Sequence, residues 1–147
     1  MAVTVMGMVS DLQNKVPVIR VTGLVEKPGE WAMEDLAGLS EQVSEGEIPG
    51  RGVSAGALLE ASGPRGGYVS VESDDGAYRA SIPLGELSSK GVVVYGLGDD
   101  RLPPEHGGPF RILVPEGRTL CWNVKGVGEM RVTAQPEPDS VPANPTH

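Results

Sequence analysis

The chain has 147 residues, with 12 Lys and Arg against 20 Asp and Glu, for a net charge of −8. A single cysteine excludes an intramolecular disulfide. With only two histidines, one of them the terminal His147, it also excludes a Cys-rich zinc site. The acidic balance, without any basic cluster, argues against a nucleic-acid surface, which needs a basic stripe to neutralise phosphates.

The length suits one domain with its own hydrophobic core. Gly (21) and Pro (13) together approach a quarter of the chain, about twice the usual share, so short strands joined by turns are expected. Residues 1–15, MAVTVMGMVSDLQNK, lack the basic n-region and sustained apolar h-region of a signal peptide and read as a loosely ordered lead-in. The longest apolar run, Gly91 to Tyr95, is far too short to cross a membrane. A cytoplasmic, reducing setting is expected, and a single free thiol is compatible with it.

A domain over residues 16–133 then unfolds in order. Val16 to Val25 places Ile19, Val21 and Val25 on one face of a strand, which the turn Lys27-Pro28-Gly29 ends. Trp31 to Leu39 spaces Leu36 and Leu39 by one helical turn, and residues 40–50, rich in acids and glycine, read as loop. Ser54 is the expected N-cap of a helix over Ala55 to Ala61, with Leu58 and Leu59 as the buried ridge and Gly63 as the stop. Tyr68 to Glu72 and Ala77 to Ile82 form a hairpin around Asp74-Asp75-Gly76. Val92 to Tyr95 is apolar on both faces, as a fully buried strand is. Phe110 to Val114 alternates, setting Phe110, Ile112 and Val114 against Arg111 and Leu113. Leu120 to Val124 and Glu129 to Thr133 read as further strands. Residues 134–147, with four prolines and no period, read as a disordered tail. The fold class is α+β, mostly short strands in mixed sheets with two or three short helices.

Two stretches point to anion chemistry. In His106-Gly107-Gly108-Pro109-Phe110-Arg111 the glycines open backbone N–H groups to close approach, and Arg111 leaves a half-buried strand face where a cation needs a partner. The plainer alternative is a Gly-Pro turn whose Arg pairs with one of the acids. Asn123-Val124-Lys125-Gly126 sets a second cation beside backbone amides at a strand end, or else simply exposes a lysine to water. Their nearness in sequence favours one shared pocket. Cys121 sits between Leu120 and Trp122 with no nearby base to lower its pKa, and reads as a buried structural thiol. No nucleophile elbow or phosphate-binding loop is present. The pairs Asp74-Asp75 and Asp99-Asp100 offer oxygen ligands to a hard cation, yet beside glycine they read first as turn residues.

In order and spacing, these pieces resemble the molybdopterin-binding domain of the sulfite oxidase family over about Ile19 to Val132. The matching stretches include Val21-Thr22-Gly23-Leu24-Val25, Gly52-Val53 with Leu58-Leu59, the hairpin Ser73 to Tyr78, and Ser81-Ile82-Pro83-Leu84. The most specific are Leu102-Pro103 with His106-Gly107-Gly108-Pro109-Phe110-Arg111-Ile112-Leu113-Val114-Pro115, followed by Asn123-Val124-Lys125. The resemblance implies that His106, Gly107, Arg111, Asn123, Val124 and Lys125 hold molybdopterin and its phosphate, with neither zinc nor haem. It also implies an upstream cysteine thiolate as metal ligand, and here residues 41–50 contain none. Ser44 lies near that place, but a hydroxyl is a poor ligand for a soft metal.

Catalytic residues are therefore left unassigned. Three readings follow: a pterin- or phosphate-binding domain without oxo transfer, a non-catalytic interaction module with a lapsed pocket, or a molybdenum-dependent oxidoreductase with an unusual ligand. The expected partner is a phosphate-bearing small molecule, with a second copy or a partner subunit completing the site.

Overall fold

The computed structural model describes residues 16–115 and 122–138. The expected lead-in over 1–15, the strand position of Cys121 and the tail beyond residue 138 lie outside them.

Alternating burial makes β1 (Ile19–Gly23) a strand, with Ile19 and Val21 fully inside and Arg20 exposed between them. It pairs antiparallel with β2 (Gly29–Trp31). Helix α1 (Met33–Ala37) follows, buries Leu36, and is shorter than the pattern over 31–39 suggests because Trp31 is drawn into β2. The stretch 40–50 is not all loop: β3 (Gln42–Val43) pairs with β4 (Arg51–Ser54). Ser54 then caps α2 (Ala55–Ser62), its Oγ accepting from the Gly56 N–H at 3.1 Å, and Gly63 ends the helix at φ +68°.

The hairpin β5 (Tyr68–Ser73) and β6 (Arg79–Pro83) forms where expected. A helix not anticipated at this position, α3 (Leu84–Lys90), follows at once and buries Leu87. Next come β7 (Val92–Leu97), buried along most of its length, β8 (Asp100–Arg101), a 3-10 turn over Pro104–His106, β9 (Arg111–Leu113) and β10 (Val127–Thr133). Trp122 to Val124 lies outside any strand, which corrects the reading of Leu120 to Val124. Its polar groups bond sideways to the 110–114 segment instead.

Two sheets result, ordered β2-β1-β10-β5-β6 and β3-β4-β7-β8, with β9 sharing with β8 the edge of β7 opposite β4. Pairing is antiparallel except between β1 and β10. One contiguous apolar cluster draws Ile19, Val71, Ile82 and Met130 from the first sheet, Val53, Val93 and Ile112 from the second, and Leu58, Leu59 and Leu87 from the helices. Each such side chain contributes roughly 1.5–3 kcal/mol by leaving water. A smaller cluster, Ile48, Val92, Val94 and Leu102, occupies the opposite face of the second sheet. Residues 134–138, where the tail was expected to begin, fold back on the first sheet: Glu137 pairs with Arg131 at 2.6 Å and its N–H donates to Ser81 Oγ at 3.2 Å.

Candidate functional site

The segment before β9 is held by its glycines. Gly107 closes the 3-10 turn at φ +91°, in the left-handed region that suits a residue without Cβ. At Gly108 a Cβ would fall 1.7 Å from the Leu102 carbonyl oxygen, so only glycine passes there. Phe110, 2% exposed, anchors the chain in the core, and strand alternation then turns Ile112 inward and Arg111 to the other face.

The second segment runs alongside the first. Ile112 N–H donates to the Val124 carbonyl, Val127 N–H to that of Phe110, and Gly126 N–H to that of Gly107, each at 2.8 Å. The Val114 N–H donates to Asn123 Oδ1 at 2.8 Å. A Cβ on Gly107 would lie 3.0 Å from Arg111 Cδ and 3.0 Å from Lys125 Cγ, so the stems of both cations flank this glycine. The β5–β6 turn is tied in through the Asp74 N–H, which donates to the Gly126 carbonyl at 2.7 Å.

Between these segments and that turn lies a cavity of about 410 Å³. Arg111, Asn123 and Lys125 line one side, and Ser73, Asp75, Ala77 and Tyr78 the rest. Arg111 Nε is shut off from water without an acceptor among the described residues, and the only side-chain hydrogen bond of Arg111 there is a long one of 3.5 Å from Nη1 to the His106 carbonyl. Neither Arg111 nor Lys125 meets a carboxylate among the described residues. Asp75 is occupied elsewhere: it accepts from Ala77 N–H at 2.9 Å and Ser73 Oγ at 2.7 Å, and these bonds hold its carboxyl below the usual range. The cavity thus carries two cations that no carboxylate among the described residues pairs with, beside the Tyr78 ring, the chemistry of an anion site.

Of the six residues expected to act together, Arg111, Asn123 and Lys125 converge and Gly107 supplies the cradle between the two cations. Val124 is fully buried, and its carbonyl is used by Ile112. The His106 side chain is exposed and does not line the cavity; its backbone carbonyl is what faces Arg111. Reasoning from sequence missed the wall made by Asp75, Ala77 and Tyr78. Their signal was the hairpin turn itself, which read as a connection rather than as a lining.

The stretch expected near a metal leads elsewhere. Ser44 lines a different cleft, with its N–H donating to Glu47 Oε2 at 3.2 Å. Among the described residues no three His, Cys, Asp or Glu side chains converge as metal ligands, and no helix is long and apolar enough to cross a membrane.

Comparison with known proteins agrees with this architecture. Residues 42–141 match the oxidoreductase molybdopterin-binding domain. The chain is 39% identical over 83 residues to the NADPH nitrate reductase of Fusarium oxysporum, a match spanning 48% of this chain and 9% of that protein. Its fold is similar to that of the sulfane dehydrogenase SoxCD of Paracoccus pantotrophus, with a TM-score of 0.65 at 20% identity, over 82% of this chain and 39% of the other. The chain therefore spans a small part of the first relative and well under half of the second.

Proposed function

The chain belongs to the oxidoreductase molybdopterin-binding domain family, and on that premise we propose that its cavity holds the phosphate-bearing end of a pterin or a similarly charged small ligand. The observation that carries this reading is the meeting of Arg111 and Lys125, both without a carboxylate among the described residues, on either side of left-handed Gly107. Lys125 acts as a point charge, and Arg111 offers planar N–H donors to phosphate oxygens. The buried Nε of Arg111 is a donor that no acceptor among the described residues meets, the kind of deficit that an anion relieves. Tyr78 and Ala77 supply an apolar flank for a ring, while Asn123 braces the cationic side.

The metal end of the cofactor does not fit in the same way. A complete molybdenum cofactor supplies oxygen-atom transfer at its metal, and in this family a thiolate holds that metal. Residues 41–50 offer Ser44 and the carboxylates of Glu41, Glu45 and Glu47 instead, which are poor soft-metal ligands and repel an anionic oxo centre. The reading is thus of a binding domain without oxo transfer. A reducing, cytoplasmic setting and completion of the site by a second copy or a partner subunit belong to the same proposal.

Thermal unfolding with inorganic phosphate or pyrophosphate tests it. Ligand at ten times its Kd stabilises by about 1.4 kcal/mol, enough to raise Tm by a few degrees. The Arg111→Ala, Lys125→Ala double variant should lose that rise. An equal rise in the double variant overturns the assignment.

A further inference from the structure

A second cleft, of about 570 Å³, shares no lining residue with the first and lies where β3, β4 and β7 meet. Its feature is Arg51. The pairing of β4 with β7 slips at this point: Arg51 sits opposite Gly96 while Gly52 sits opposite Val94, so Tyr95 is an extra residue in the ladder. Gly96 clears the way for the arginine, since a Cβ there would fall 2.6 Å from Arg51 Nη2. The guanidinium carbon lies 5.4 Å from the centroid of the Tyr95 ring, within cation–π range.

The supporting wall is fixed. Tyr95, 3% exposed, donates its hydroxyl proton to Gln42 Oε1, and Gln42 Nε2 donates to the Leu36 and Leu39 carbonyls at 2.8 and 2.9 Å. Arg51 itself is under-satisfied. Its Nε is closed off from water with no acceptor, and no carboxylate among the described residues pairs with it. Glu45, on the same cleft, is already taken by the Gly98 N–H. A guanidinium poised over an aromatic ring at cation–π distance keeps its terminal N–H groups for an acceptor, and a carboxylate matches that planar fork. Glu45 and Asp99 outnumber Arg51 at the cleft and oppose a multiply charged anion, so the site admits only a singly charged one that reaches the guanidinium N–H groups directly.

We propose that this cleft is a binding site for a small monocarboxylate, held by Arg51 against Tyr95 and separate from the phosphate-type cavity at Arg111. The test is an amide NMR titration of the folded chain with acetate and benzoate, with chloride at matched ionic strength as control. Saturable shifts are expected at Gly96, Gly98 and Ser44, with phosphate binding more weakly there. Arg51→Gln should weaken acetate binding about tenfold or more, and Arg51→Lys, which keeps the charge but loses the fork, at least about threefold. Arg111→Ala should leave these shifts in place. Non-saturating shifts, equal binding by Arg51→Gln, or phosphate binding as tightly as acetate would each overturn the proposal. Should Arg51→Gln fail to fold, unaltered acetate affinity in Arg51→Lys overturns it equally.

Discussion

The Val114 amide and the Asn123 side chain are joined by a 2.8 Å hydrogen bond that fastens the two arms of the cationic cavity to each other. Val114 is 3% exposed, so its N–H has no ready access to water if Asn123 is shortened. Asn123→Ala should therefore cost about 1–3 kcal/mol in urea unfolding. Asn123→Asp keeps an acceptor and should recover most of that stability. It also puts a negative charge beside Arg111 and Lys125, so phosphate binding should weaken while the fold persists. A stable Asn123→Ala variant would show that the two arms need no such tie.

The two glycines before β9 should respond differently to alanine. At Gly108 the added Cβ meets the Leu102 carbonyl oxygen at 1.7 Å, and backbone cannot step aside, so Gly108→Ala should lose more than about 3 kcal/mol or fail to fold. At Gly107 the Cβ meets the flexible stems of Arg111 and Lys125 at 3.0 Å in a left-handed conformation. Gly107→Ala should cost only about 1–2 kcal/mol, yet it should displace both cations and abolish the phosphate-induced Tm rise. Purified yield, Tm and phosphate titration of the two variants separate these effects.

Acid should release the Glu137 strap. The Arg131 guanidinium, hydrogen-bonded at 2.6 Å, holds the Glu137 carboxyl below its ordinary value. A carboxylate with a depressed folded-state pKa stabilises fully above the unfolded value, about 4.3 for glutamate, and loses that contribution as pH falls through the folded value. The pair is about a third exposed, so solvent screening limits it to under about 1 kcal/mol. Glu137→Gln should lower Tm slightly at pH 7 and match the unaltered chain near pH 3. A difference that grows on acidification would contradict this sign.

Protein purified from a host that makes molybdopterin should carry pterin fluorescence without stoichiometric molybdenum or tungsten, because no thiolate occupies residues 41–50. Metal at one equivalent per chain would overturn the reading of a domain without oxo transfer and restore an oxidoreductase with an unusual ligand.

Elements with strong local signals were legible from sequence. Ser54 and Gly63 bracket α2 through side-chain capping and a left-handed stop, both local effects. Helix α3 was not legible, because Gly85, Ser88 and Ser89 lower its propensity and Pro83 offers no side-chain cap; it forms because Leu87 reaches the core. Strand β4 was masked by Gly52, which is there because a Cβ would fall 2.6 Å from the Val93 carbonyl oxygen. Among the cavity residues, Arg111, Asn123 and Lys125 could be read because they lie within one short stretch of chain. Tyr78 and Asp75 come from a hairpin far away in sequence, brought near by the β5–β10 pairing, which sets Ser73 opposite Val127, and by the Asp74 to Gly126 hydrogen bond.

The place of β10 has a consequence for how the chain acquires its structure. It lies between β1 and β5, so the first sheet has no continuous centre until residues 127–133 are available. During synthesis, β1 must wait for more than a hundred residues before its parallel neighbour emerges, a long-range closure of the slow kind. Lys125 and Gly126 lead directly into that strand, and the Val127 N–H locks to Phe110 as it docks. Completion of the sheet and assembly of the anion cavity are thus one late event, and a nascent chain cut short before residue 127 has neither.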